Sequence, residues 1–133
     1  MKIVLNANIF ISSLFWGGNP RLIVERVIAG IDELFITNEI LDEITGVISR
    51  PKFHATSDEI NYFIDSIKEI GNIITPKKHS RNRSRDKNDD KYIECGIAAN
   101  ADYIISGDIH LLELGKIHNT EIITAKNYPE IVK

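Results

Sequence analysis

One cysteine, one tryptophan and four prolines in 133 residues set the first limits on this sequence. A lone Cys95 can form no internal disulfide, which excludes the disulfide-stapled small secreted folds and points to a reducing compartment. It lies in an apolar helical stretch and reads as core. No apolar run approaches the roughly 20 residues a spanning helix requires. Met1 leads straight into a strand pattern instead of a basic segment and an apolar signal core, so a cytoplasmic protein with no membrane partner is expected. The four histidines, His54, His79, His110 and His118, lack zinc-ligand spacing. There is no glycine-rich phosphate loop ending in Lys-Ser or Lys-Thr, and Gly17-Gly18 reads as a turn.

What is present is an ordinary globular composition, 43% hydrophobic and 26% charged, enough for one domain over residues 1–133 with a real core. The net charge of −3 argues against nucleic acid only until its distribution is read. Residues 77–91, KKHSRNRSRDKNDDK, carry seven Lys or Arg against three Asp, a local +4 that leaves −7 on the remainder. A basic loop on an acidic body is a footprint for phosphate, offered by Lys77, Lys78, Arg81, Arg83, Arg85 and Lys87. A solvated charged loop is the plainer reading of such a run.

Strand patterns at 2–6, 33–37, 72–75, 102–106 and 121–124 alternate with helical ones. Asn19-Pro20 announces the first helix, and residues 58–70 repeat Ile and Phe at helical spacing. The alternation predicts an α/β fold with a parallel sheet covered on both faces by helices. Ligands of such sheets bind at the carboxyl ends of the strands.

Several polar residues fall at those ends. Asn6 and Asn8 interrupt the apolar run KIVLNANIFISS, and Asp108 follows the fourth strand in YIISGD. Asp89 and Asp90 open the helix DDKYIECGIAANA. Helix capping alone accounts for an Asp at a helix start or before IHLLEL. Glu43 is more telling: Ile40, Leu41, Ile44, Val47 and Ile48 make one apolar arc and Glu43 sits on its rim, although snorkelling or a Lys partner explains many such carboxylates. Three carboxylates brought to one sheet edge repel, and Mg²⁺ or Mn²⁺ is the usual remedy, able to orient a water and neutralise charge on phosphorus. A phosphoacceptor receiver would need an Asp after the third strand, where this chain has NIITP.

Together these segments resemble PIN domains, close to the VapC-like toxins of toxin–antitoxin pairs. The resemblance rests on VLNANIFIS, with Asn8 and Ser12 in register, on ILDEITGVISRPKF, and on RDKNDDKYIECGIAANADYIISGDIHLL. It implies a three-layer α/β/α sandwich, for which a five-stranded parallel sheet with the first strand central is expected, and a Mg²⁺- or Mn²⁺-dependent ribonuclease with Glu43, Asp89 and Asp108 as catalytic metal ligands, supported by Asn8, Ser12, Asp86 and Asp90. It also implies an RNA substrate, an inhibiting antitoxin and frequent homodimers. The departure is Asn6, which stands where the family carries its first catalytic and metal-binding Asp. Asn keeps the shape of Asp without its charge, so this chain is expected to be impaired in cleavage. Retention of the other acids favours a deliberate exchange over natural decay, and the alternative function is a non-catalytic RNA- or antitoxin-binding module.

Overall fold

The computed structural model describes residues 1–77 and 87–132. Strand β1 (Lys2–Leu5) is followed at once by helix α1 (Ala7–Phe15), then α2 (Gly18–Ile28), β2 (Glu33–Ile36) and α3 (Asn38–Ile48). Helix α4 (Ser57–Ile70) runs directly into β3 (Gly71–Ile73). After the basic segment come α5 (Asp90–Ala99), β4 (Tyr103–Ile105), α6 (Ile109–Leu114), the short β5 (Lys116–Ile117), β6 (Thr120–Ile123) and α7 (Tyr128–Ile131).

The sheet order is β3-β2-β1-β4-β6-β5, so β1 lies inside the sheet, as expected. Five strands are parallel; the sixth, β5, pairs antiparallel with β6. The expected five-stranded sheet is thus extended by a two-residue edge strand whose hairpin turns at His118, a residue with φ of 52°. Two residues carry too little alternation to announce themselves as a strand. Register aligns Leu5 with Ile105 across β1 and β4, placing the residues that follow each strand side by side. The chain leaves β1 towards β2 on one side and leaves β4 towards β6 on the other. The carboxyl ends of β1 and β4 therefore flank the point where the strand order reverses, which is the crevice such sheets use for ligands.

The first helix begins at Ala7, earlier than the Asn19-Pro20 signal, and Asn6 is its N-cap instead of the last strand residue. Ala7, Ile9, Phe10, Ile11 and Ser13 are all buried, and a helix apolar on most sides carries no clear amphipathic pattern. Gly17 and Gly18, at φ of 74° and 65°, make the turn into α2 in a region that only glycine occupies without strain. Asn19 and Pro20 then sit inside the first turn of α2.

Helix α3 buries Ile40, Leu41, Ile44 and Ile48, the arc expected from its spacing. Its N-cap Thr37 accepts from the Ile40 N–H at 3.1 Å. Helix α5 packs over β1, β2 and β4. It lies close because Gly96 has no side chain: a Cβ there would stand 2.9 Å from Ile104 Cδ1. The cysteine is plain core. Cys95 is buried, and burial pushes its thiol up to about 12, far from the thiolate form a nucleophile needs. No helix among the described residues is long and apolar enough to cross a membrane.

Candidate active site at the carboxyl edge

Asn6 is almost completely buried. Its N–H donates to the Ile105 carbonyl at 3.0 Å, continuing the β1–β4 ladder by one bond. Its side-chain Oδ1 accepts from the Asn8 N–H at 3.0 Å and so caps α1. The amides that interrupt the first apolar run thus have a local task, starting a helix where the strand stops. Asn8 contributes its backbone to that cap while the residue itself is exposed. Ser12 lies half-buried on α1, where its carbonyl accepts from Trp16 and Gly17.

One residue overlooked in the sequence ties this strand end to the acids. The Tyr92 hydroxyl accepts from the Ala7 N–H at 3.1 Å and donates to Glu43 Oε1. A single phenol on α5 therefore joins the start of α1 to the rim of α3. Burial first, and then the Glu43 carboxylate, hold its ionisation well above the ordinary phenol range; Asp89 adds its negative charge to the same effect. Tyr92 is thus neutral at physiological pH, available as both donor and acceptor. In the sequence it was one more large residue on an apolar helix, with no period or spacing to distinguish it from core.

Glu43 has a second partner, Lys91, whose Nζ lies 3.2 Å from Oε2. The Lys91 ammonium also lies 5.8 Å from the Tyr92 ring centroid, within reach of a cation–π attraction. The acids at helix starts divide in two. Asp108 does cap: its Oδ1 accepts from the His110 N–H at 2.8 Å, while its own N–H donates to Ser106 Oγ at 2.9 Å. Asp89 stands at the N-cap position of α5 but makes no side-chain cap bond, and it is buried. Capping therefore explains the position of Asp108 and not that of Asp89. Asp90 begins the helix beside it, half-buried.

A cleft of about 520 Å³ opens between α3 and α5, lined by Glu39, Asp42, Glu43, Asp90, Lys91 and Glu94 together with Asn88. Among the described residues no group of three or more His, Cys, Asp or Glu side chains is placed to hold a metal ion. The hydrogen bonds explain the shortfall in part: both Glu43 oxygens face hydrogen donors, and the Asn6 oxygen is occupied by a backbone N–H. As placed, these donors do not fit a divalent cation. Of the basic loop, Lys77 is exposed, whereas Lys78, Arg81, Arg83, Arg85 and Asp86 lie outside the described residues, as does the side chain of Lys87.

The comparison with family models decides the affiliation. The PIN domain model matches residues 2–110, most of the chain and all the segments just described. This chain belongs to the PIN domain family. No curated protein matches the sequence. Among solved structures, this PIN domain is similar to a chain in the crystal structure of VapBC2 from Rickettsia felis bound to a DNA fragment from their promoter. The match has a TM-score of 0.63 at 14% identity and covers 93% of this chain and 98% of that one. At that identity the likeness is one of fold.

Proposed function

We propose that this PIN domain is a VapC-like toxin of a toxin–antitoxin pair, an endoribonuclease by design whose cleavage is impaired by Asn6. PIN domains are in general nucleases, and that is the ground of the proposal. The observation that supports it further is the Tyr92 hydroxyl, which accepts from the Ala7 N–H beside Asn6 and donates to Glu43. In the active form a carboxylate at position 6, with Glu43, Asp89 and Asp108, would hold Mg²⁺ or Mn²⁺, which supplies an activated water and charge neutralisation at phosphorus. In this chain residue 6 is an amide engaged as a helix cap.

The residues themselves have other tasks. Tyr92 fixes the start of α1 against α3; Asp108 fixes the loop after β4; Asn8, Ser12, Asp86 and Asp90 support the edge. Lys77, Lys78, Arg81, Arg83, Arg85 and Lys87 position RNA phosphates, with binding that weakens steeply as salt rises. An antitoxin protein is the natural partner, as the VapBC2 neighbour suggests, and a homodimer and cytoplasmic residence belong to the same reading. The second reading, a non-catalytic module for RNA or antitoxin, is favoured by the unfitness of the donor set for a cation.

Asn6→Asp is the deciding experiment. It is expected to produce Mg²⁺- or Mn²⁺-dependent cleavage of total cellular RNA where the unsubstituted chain shows little or none. A gain of at least about 10–100-fold is the scale on which metal-site changes act. Asn6→Asp combined with Asp108→Asn should be dead again. A folded Asn6→Asp protein that cuts no RNA with either metal would leave the binding module as the function.

A further inference from the structure

The carboxyl edge holds a cation of its own. Lys91 Nζ lies 3.2 Å from Glu43 Oε2, and the Lys91 side chain is only 12% exposed. The other Glu43 oxygen is held by Tyr92, so the carboxylate is fixed from both sides. Around this pair the cleft is lined by the carboxylates of Glu39, Asp42, Asp90 and Glu94, and Lys91 is the one cationic residue among the described residues lining it. Two features thus act in the same direction. Asn6 withholds a negative charge, and Lys91 contributes a positive one that is already satisfied by the carboxylate a metal would need.

We infer that Lys91 is the resident cation of this site, clamped on Glu43 so that the chain as it stands does not recruit Mg²⁺ or Mn²⁺ there. The inference rests on the reading of this edge as a metal-dependent nuclease site and explains why the donors no longer fit an ion. An ammonium and a divalent cation compete for the same oxygen. Lys91 has the advantage of being tethered one residue from Tyr92, in a half-closed cleft where its charge is less screened than at an open surface. Replacing Asn6 by Asp adds attraction for a metal but does not remove the competitor. Lys91 is therefore a positioning residue that sets the metal affinity of the site through Glu43.

The test measures Mn²⁺ binding to the full chain by loss of the free-ion electron paramagnetic resonance signal, with a melting curve for each variant. The unsubstituted chain should show no saturable binding through the low millimolar range. Lys91→Met should raise Mn²⁺ affinity at least about tenfold, the size of effect that a change beside a metal ligand commonly has. Lys91→Arg keeps the charge and should behave as the unsubstituted chain. Lys91→Met combined with Glu43→Gln should lose that gain, because the gain is read through Glu43, and Lys91→Gln provides the same charge removal if Lys91→Met fails to fold. A folded Lys91→Met or Lys91→Gln protein that binds Mn²⁺ no better than the parent, or a gain that survives Glu43→Gln, overturns the inference. Neither result touches the nuclease reading, which is tested by RNA cleavage by Asn6→Asp and by Asn6→Asp combined with Lys91→Met, the second removing the competitor.

Discussion

Two triads of the same chemistry sit at opposite ends of the sheet. At the carboxyl edge, Tyr92, Glu43 and Lys91 join a phenol, a carboxylate and a cation. At the amino edge, Tyr128 donates to Asp32 Oδ2 at 2.8 Å, and Arg26 grips both Asp32 oxygens at 2.8 and 3.3 Å. The Asp32 side chain is fully buried; that of Glu43 is 30% exposed and faces a cleft. A guanidinium fork saturates its carboxylate and closes the amino edge. At the carboxyl edge a single ammonium and a phenol each hold one oxygen of Glu43. The amino-edge triad closes over a fully buried carboxylate, whereas the carboxyl-edge triad leaves its carboxylate facing a cleft.

Asp32→Asn should be the most damaging change to stability. Removing one charge from a buried pair exposes the other to desolvation, and about 3 kcal/mol is the expected loss, at the lower end for such pairs because Arg26 is 28% exposed. Urea unfolding measures it. Burial pushes the Asp32 carboxyl up, but the hydrogen bonds from Arg26, Tyr128 and the Met1 amine outweigh burial and hold it below the usual carboxylate range. A depressed folded-state value stabilises above the ordinary carboxylate pKa and is lost as pH falls through the folded one. The stability gap between the parent and Asp32→Asn should therefore be full at neutral pH and shrink below about pH 4.

Tyr92→Phe sharpens the comparison from the other side. It leaves the buried Ala7 N–H without its acceptor and Glu43 with one partner fewer, a loss of about 1–2 kcal/mol. In the Asn6→Asp background it should also lower RNA cleavage, because the start of α1 is no longer fixed against α3. Tyr128→Phe in that background should lower the unfolding midpoint and leave cleavage unchanged. Equal losses of cleavage from both would break the distinction between the two triads.

Lys91→Met is the smallest effect on stability, under about 1 kcal/mol for a partly exposed ion pair. Arg26→Met should cost clearly more by the same denaturation measurement, since it strands a fully buried carboxylate.

The legible part of the fold was the part written in periodicity. The apolar arc of α3 put Glu43 on its rim, and the short apolar strands between helices announced a parallel sheet. Helix α1 escaped because it is buried on most sides, and β5 because it has two residues. Among the acids, spacing placed Asp89 and Asp108 alike at helix starts. Only the hydrogen bonds distinguish a capping Asp108 from a buried Asp89 that does not cap.

The sequence by itself determined the α/β order, the family and the presence of an amide at position 6, since each is legible in residue type and spacing along the chain. The tertiary structure decided that Tyr92 links Ala7 to Glu43 and that Lys91 faces Glu43, pairs separated by 85, 49 and 48 residues. It likewise decided that Tyr128 reaches Asp32 across 96 residues. Local periodicity reports which face of an element is buried. It carries no information about which polar group from a distant element arrives to satisfy that face, and at this carboxyl edge that arrival sets the charge of the site.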